Sequence, residues 1–235
     1  MNHEIISLAP QMSMNYFKLA RIYQQMGRHN EAVQVLRKGI ENNPDEYVLL
    51  STLGMAYVEV GKLKEALELT QAALKINPDY FDSLITSGLI MRRLGRQEEA
   101  AEYYQKALKV EPENRFLQMD YAHTLATSGR VDEALEIYHK LKSEHPDDYR
   151  VYQDMGILFA SRGDLEKSCE NFKKAVSLSP SPMTCFNYAL ILEKAGNLEE
   201  AIHYLKLYLE NTPEDNTERK IQAQKALAQW RRKLK

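Results

Sequence analysis

The sequence predicts an all-α protein built as a solenoid of stacked helical hairpins, and three observations carry that expectation. Gly27, Gly61, Gly95, Gly129, Gly163 and Gly196 recur at intervals of 34, 34, 34, 34 and 33 residues. Five positions after each glycine stands a small residue: Ala32, Ala66, Ala100, Ala134, Ser168 and Ala201. Pro44, Pro78, Pro112, Pro146, Pro180 and Pro213 keep the same spacing. A proline cannot continue a helix but is tolerated at a helix start, so each one separates two helices. Between these markers the apolar residues fall at offsets of three and four, the period of a helix face, with no two-residue alternation that would indicate strands.

The elements follow in chain order. Residues 1–12, opening MNHEIISLAPQ, read as a brief lead-in with no basic start and too short an apolar run for a signal peptide. In residues 13–46, Tyr16, Leu19, Ala20 and Tyr23 form one face of a first helix, and Gly27 opens a second. Residues 47–80 repeat the plan with Leu50, Leu53, Gly54 and Tyr57. Residues 81–114 and 115–148 follow, the stretch GRQEEAAEYYQKALKVEPEN being a near copy of GKLKEALELTQAALKINPDY one unit earlier. Residues 149–181 present Tyr152, Met155, Gly156 and Phe159. The turn into residues 182–215, SLSPSPMT, is one residue short, a deletion expected to rotate the last hairpin without disrupting either helix. A glycine inside a helix costs about 1 kcal/mol against alanine. Gly54, Gly88 and Gly156 therefore imply two backbones approaching too closely for a larger side chain. Residues 217–235 break the pattern as a single amphipathic basic helix, with Ala223, Leu227, Trp230 and Leu234 on one face to cover the sixth hairpin.

Composition narrows the function classes. With 44% hydrophobic and 27% charged residues in 235, the chain fits an ordinary soluble protein rather than a fibrous or disordered one. No segment approaches eighteen consecutive apolar residues, so no transmembrane span is expected. Cys169 and Cys185 form neither a CxxC pair nor a disulfide framework and read as buried inert thiols, which favours a reducing, cytoplasmic setting. Only 32 residues lie outside the repeats, divided between the two ends. The chain has no Walker A sequence, GxGxxG, HExxH, GxSxG or EF-hand loop, so it reads as a non-enzyme with no cofactor and no metal. His139 and His145 have the wrong offset for a shared face and no cysteine cluster beside them. Seven Lys or Arg and one Glu lie in residues 217–235, leaving residues 1–216 at a net charge of −8. That acidic body argues against nucleic acid, and any contact with an anionic surface is confined to the basic C-terminus.

The residues resemble the tetratricopeptide repeat family. Gly54, Gly88 and Gly156 fall on its small first-helix position, and Tyr104, Tyr138 and Phe172 on its second-helix aromatic. The likeness covers residues 13–215 as six repeats: 13–46, 47–80, 81–114, 115–148, 149–181 and 182–215. Ser87, Gln118 and Leu141 depart from the usual core types. The resemblance implies a right-handed superhelical α-α solenoid with a concave wall of first helices, acting as a scaffold or adaptor that holds a peptide or helix. Its ligand-facing positions would be Phe17 and Arg21; Val48, Ser51 and Met55; Asp82, Ile85, Leu89, Arg92 and Arg93; Phe116, Met119 and His123; Arg150, Gln153 and Ile157; and Met183, Phe186 and Leu190. Their apolar members would accept partner side chains, with Arg92, Arg93 and Arg150 anchoring polar or carboxylate groups. The carboxylate clamp for chaperone C-termini is absent, since Phe17, Arg21, Thr52, Asp82 and Thr86 occupy its positions. The alternative expectation is self-assembly into homo-oligomers or larger complexes, through the groove or through an apolar edge at Ser13, Tyr16, Phe17 and Leu19.

Overall fold

The computed structural model describes residues 12–212 and 217–234. Residues 1–11, with nearly all of the lead-in, fall outside the described residues, as do Pro213, residues 214–216 and Lys235. Among the described residues the chain forms thirteen helices and no strand. Two compact units divide it, Met1–Arg130 and Val131–Lys235. The first holds α1 (Ser13–Gln25), α2 (His29–Asn42), α3 (Tyr47–Glu59), α4 (Leu63–Ile76), α5 (Phe81–Arg93), α6 (Gln97–Val110) and α7 (Arg115–Thr127). The second holds α8 (Val131–Glu144), α9 (Tyr149–Ser161), α10 (Leu165–Leu178), α11 (Pro182–Lys194), α12 (Leu198–Asn211) and α13 (Thr217–Lys233). Successive helices pair as hairpins, and the fold is an all-α repeat solenoid.

The glycine series has a backbone cause. Each of the six takes positive φ, from 70° at Gly27 to 90° at Gly129, a region in which a Cβ would be strained. The turn that results is the same each time. Gly27 N–H donates to the Gln24 carbonyl at 2.9 Å, and Arg28 N–H reaches back to Tyr23 at 2.8 Å. The second bond recurs as Lys62 to Tyr57, Arg96 to Met91, Arg130 to Leu125, Asp164 to Phe159 and Asn197 to Leu192. These bonds satisfy carbonyls that a helix end would otherwise leave unpaired. A Cβ added at any of the six turn glycines would touch nothing within 4 Å, so conformation rather than space selects glycine there.

At Gly88 and Gly156 the reason is space. A Cβ on Gly88 would lie 2.5 Å from the Tyr104 ring, and one on Gly156 would lie 2.8 Å from the Phe172 ring. What presses on these glycines is thus an aromatic side chain from the second helix, not the second backbone that the sequence suggested. At Gly54 the close neighbour is the Thr70 methyl at 2.7 Å, with the Ala66 carbonyl 3.2 Å away. The small residues five positions after the turn, Ala32, Ala66, Ala100, Ala134, Ser168 and Ala201, are all fully buried. Ser168 offsets the burial of its hydroxyl by donating to the Gly156 carbonyl at 2.8 Å.

The departures from the usual core types also have partners. Thr70 stands sixteen residues after Gly54, the offset that Tyr104 and Phe172 keep from Gly88 and Gly156. Without a ring there, the Ser87 hydroxyl donates to Thr70 Oγ1 at 2.9 Å, and Thr70 donates onward to the Leu67 carbonyl. Gln118 donates through Nε2 to the Pro112 carbonyl at 2.6 Å. Tyr152 makes the matching bond to the Pro146 carbonyl at 3.0 Å, so an amide and a phenol do one task. Leu141 is fully buried. The shortened connection before α11 starts with Ser179 and ends with Ser181, whose Oγ accepts from Thr184 N–H as the helix cap.

In the second unit α13 packs on α12, with Ala223 and Trp230 buried and Leu227 partly buried in the same core cluster as Tyr188, Leu205 and Tyr208. Leu234 was expected on this face. It lies beyond the helix end at Lys233 and is 47% exposed.

Two outcomes follow from this packing. Gly88→Ala should lower stability by about 1–3 kcal/mol in urea denaturation, in spite of its gain in helix propensity, because the Tyr104 ring is held on all sides. An unchanged midpoint would show that the ring is free to yield. Trp230→Ala should cost about 3 kcal/mol or more. In the unsubstituted protein the emission of Trp230, the sole tryptophan, should be blue-shifted and move to the red when the second unit unfolds.

Candidate functional site

In the first unit the first helices α1, α3 and α5 approach one another closely, while the second helices α2 and α4 stand further apart. This splay makes the first-helix side concave. Phe17, Arg21 and Gln24 from α1, Ser51, Thr52 and Met55 from α3, and Asp82, Ile85 and Thr86 from α5 line one concavity of about 330 Å³. Its floor is apolar through Phe17, Met55 and Ile85. Phe17 and Met55 also rest on the core cluster beneath, which fixes their bases and leaves their tips at the surface. Thr52 and Thr86 donate their hydroxyls to the Val48 and Asp82 carbonyls of their own helices, each at 2.6 Å. Those hydroxyl protons are spent inside the helix. Charge sits at opposite walls: Arg21 extends over the Phe17 ring at 5.7 Å, and Asp82 accepts from the Tyr80 hydroxyl at 3.1 Å.

Six of the expected groove residues thus share one concavity: Phe17, Arg21, Ser51, Met55, Asp82 and Ile85. Ser51 is only 2% exposed and forms its backing rather than its surface. Gln24, Thr52 and Thr86 line it too, beyond the groove residues expected from the sequence. Val48 and Leu89 are partly buried, Leu89 against the core. Phe116 is 57% exposed, with the Arg115 guanidinium 5.0 Å above its ring. Met119, by contrast, is buried at 9% exposure, so it supports the helix interface rather than a ligand surface.

The three arginines expected to anchor a ligand are already engaged. Arg92 donates to Asp120 Oδ1 at 2.8 Å, and Arg93 donates to the Val58 carbonyl at 2.9 Å. Arg150 grips Asp148 with two bonds of 2.9 and 2.8 Å, a fork geometry suited to a carboxylate. Sequence spacing places an arginine on a helix face but not its reach across a neighbouring helix. Burial works against the Arg92 charge, yet Tyr104 and Asp120 outweigh it and raise its pKa. Beside it, burial pushes His123 below its ordinary value, the Arg92 charge pushes the same way, and Asp120 opposes both. His123 is a half-buried ring whose surroundings favour its neutral form.

In the second unit Gln153 accepts from the Thr184 hydroxyl at 2.7 Å, which ties α9 to α11. Ile157 is 42% exposed. Met183 lies with its sulfur 3.7 Å from Arg219 Nη1 of α13. Phe186 packs against the Tyr208 ring at 4.9 Å, and Leu190 rests on the core. Burial raises the pKa of Cys169, with Glu200 adding to it, and burial raises Cys185 as well. Both cysteines are unpaired thiols. Among the described residues no group of three or more His, Cys, Asp or Glu could hold a metal ion, and no helix is long and apolar enough to cross a membrane.

Comparison with known proteins agrees with this architecture. A family model described as tetratricopeptide repeat matches residues 3–145, and a second of the same description matches 149–182 and 184–215. By sequence, no curated protein matches the chain. Among solved structures, PilW, a widely conserved type IV pilus biogenesis factor, superposes with a TM-score of 0.76 at 20% identity, over 86% of this chain and 94% of its own. A tetratricopeptide repeat protein from Parabacteroides merdae gives 0.75 at 21% identity, over 97% and 90%. YrrB, a TPR protein with an unusual peptide-binding site, gives 0.66 at 21% identity, over 78% and 95%. At these identities the structures share the fold alone. The family models span most of the chain, and the repeating glycine-turned hairpins are what they match: the chain belongs to the tetratricopeptide repeat family, whose repeats form protein-interaction scaffolds.

Proposed function

We propose that this chain is a non-catalytic scaffold or adaptor that holds a peptide or helix of a partner protein in the groove formed by α1, α3 and α5. The observation that carries the reading is the concavity itself: an apolar floor of Phe17, Met55 and Ile85 between Arg21 on one wall and Asp82 on the other. A bound segment would place apolar side chains on that floor and match the two charges at its flanks. Met55 suits such a role because its flexible thioether adapts to irregular partners. The description of YrrB as a protein with a peptide-binding site supports this reading by analogy of fold.

The test uses peptides selected from a displayed random library on the intact protein. Ile85→Lys and Arg21→Glu should each weaken their binding by about tenfold or more, with helicity by circular dichroism unchanged, since Arg21 is exposed and Ile85 only half-buried. Glu102→Gln, on the second-helix surface, should leave binding as it is. Selected peptides that bind both groove variants as tightly as the unsubstituted protein would overturn the assignment.

A further inference from the structure

A second apolar groove lies between α2 and α4, on second helices rather than first. Its volume is about 490 Å³, and its floor is formed by Ile40, Leu53, Tyr57 and Leu69. Arg37 lies within it, its Nε donating to the Tyr57 hydroxyl at 2.8 Å and its guanidinium 5.7 Å from the Tyr57 ring centre. Three carboxylates rim it: Glu41, Glu65 and Glu68. Among the described residues none of the three has a hydrogen-bonding or ionic partner. Three acidic groups against one guanidinium leave a groove that is apolar at the base and negative at the edge.

The complementary surface is present in the same sequence. Residues 217–235 carry a net charge of +6, against −8 for the rest of the chain. Trp230 and Ala223 turn one side of α13 into the second unit. Ile221, Lys225, Ala228 and Arg232, spaced by four, three and four residues, form the opposite side and are all exposed, Ile221 at 45%. That outer stripe alternates an apolar residue with a cation, Ile221 before Lys225 and the small Ala228 before Arg232, the pattern that an apolar groove edged with glutamates accepts. Lys225 and Arg232 have no ionic partner among the described residues.

We propose that the α2–α4 groove of one molecule receives the outer face of α13 from a second copy of this chain. Ile221 would cover the floor at the partly exposed Ile40 and Leu69, backed by the buried Leu53 and Tyr57, while Lys225 and Arg232 meet Glu65 and Glu68. The two surfaces differ, so the contact is head-to-tail, and it leaves a free groove and a free helix at the ends of any assembly that does not close into a ring. It does not use the concave face of α1, α3 and α5, and it stands whether or not that face binds a peptide.

Multi-angle light scattering across a concentration series tests it. At about 0.05 M salt the mean mass should rise with concentration above the 27.2 kDa of one chain, and at about 0.5 M salt it should return to that value, because the matching charges are exposed and screened. The double variants Glu65→Lys with Glu68→Lys, and Lys225→Glu with Arg232→Glu, should each be monomeric at low salt with unchanged helicity. Mixed in equal amounts, they should associate again, since each then offers the other a complementary groove or helix. Ile85→Lys should associate as the unsubstituted protein does. A monomer at every concentration at low salt would overturn the proposal, and so would association that survives either charge reversal or fails to return on mixing.

Discussion

The hairpin turn closed by a left-handed glycine is the constraint on which the rest of this molecule depends. A single first or second helix has an apolar face and nothing to bury it against. The turn at Gly27, like its copies, reverses the chain within three residues, and within each unit it holds the two helices of a pair side by side. The bond from Arg28 to Tyr23, or from Lys62 to Tyr57, also pairs the carbonyls of the first helix before the second begins. Packing then acts on a preset geometry. Within each unit the residue five positions later must be small because the turn has brought it against the first helix, and Ala32, Ala66, Ala100, Ser168 and Ala201 are fully buried.

From that geometry comes the asymmetry between the two sides of the first unit. First helices approach one another and second helices diverge, so one side gathers Phe17, Met55 and Ile85 into a concavity while the other opens a cleft above Leu53 and Tyr57. Leu53 and Tyr57 belong to α3, yet they are reached from the α2–α4 side. One helix thus supplies backing to two separate surfaces, Ser51 and Met55 to one and Leu53 and Tyr57 to the other.

The fold was legible because its determinants are local and repeated. A turn glycine, a small residue five positions on and a proline near the next helix start each leave a mark that can be counted along the chain. Less legible were features that depend on the reach of a side chain between elements. Arg92 and Arg93 stand at positions the family resemblance assigns to a ligand, but their guanidinium groups extend to Asp120 and the Val58 carbonyl of neighbouring helices. Met119 shares a repeat position with the half-buried Ile85, yet it is buried itself. The identity of the groups pressing on Gly88 and Gly156 was likewise out of view, since helical spacing shows that room is scarce without showing which atoms take it. The α2–α4 cleft left no periodic signal, because it arises from the divergence of two helices and the chance grouping of Glu41, Glu65 and Glu68.

The hydroxyl pair of Ser87 and Thr70 has a consequence for how the first unit keeps its register. Where Tyr104 and Phe172 lock into glycine notches, displacement of one helix along another meets a steric wall. Between α4 and α5 two hydroxyls bond in sequence, Ser87 to Thr70 and Thr70 to the Leu67 carbonyl. Such a contact is a latch rather than a mould: it specifies one alignment by direction, and it releases as a unit when either hydroxyl loses its partner. Because α5 also carries Asp82, Ile85 and Thr86, that latch sets the position of one whole wall of the concave face.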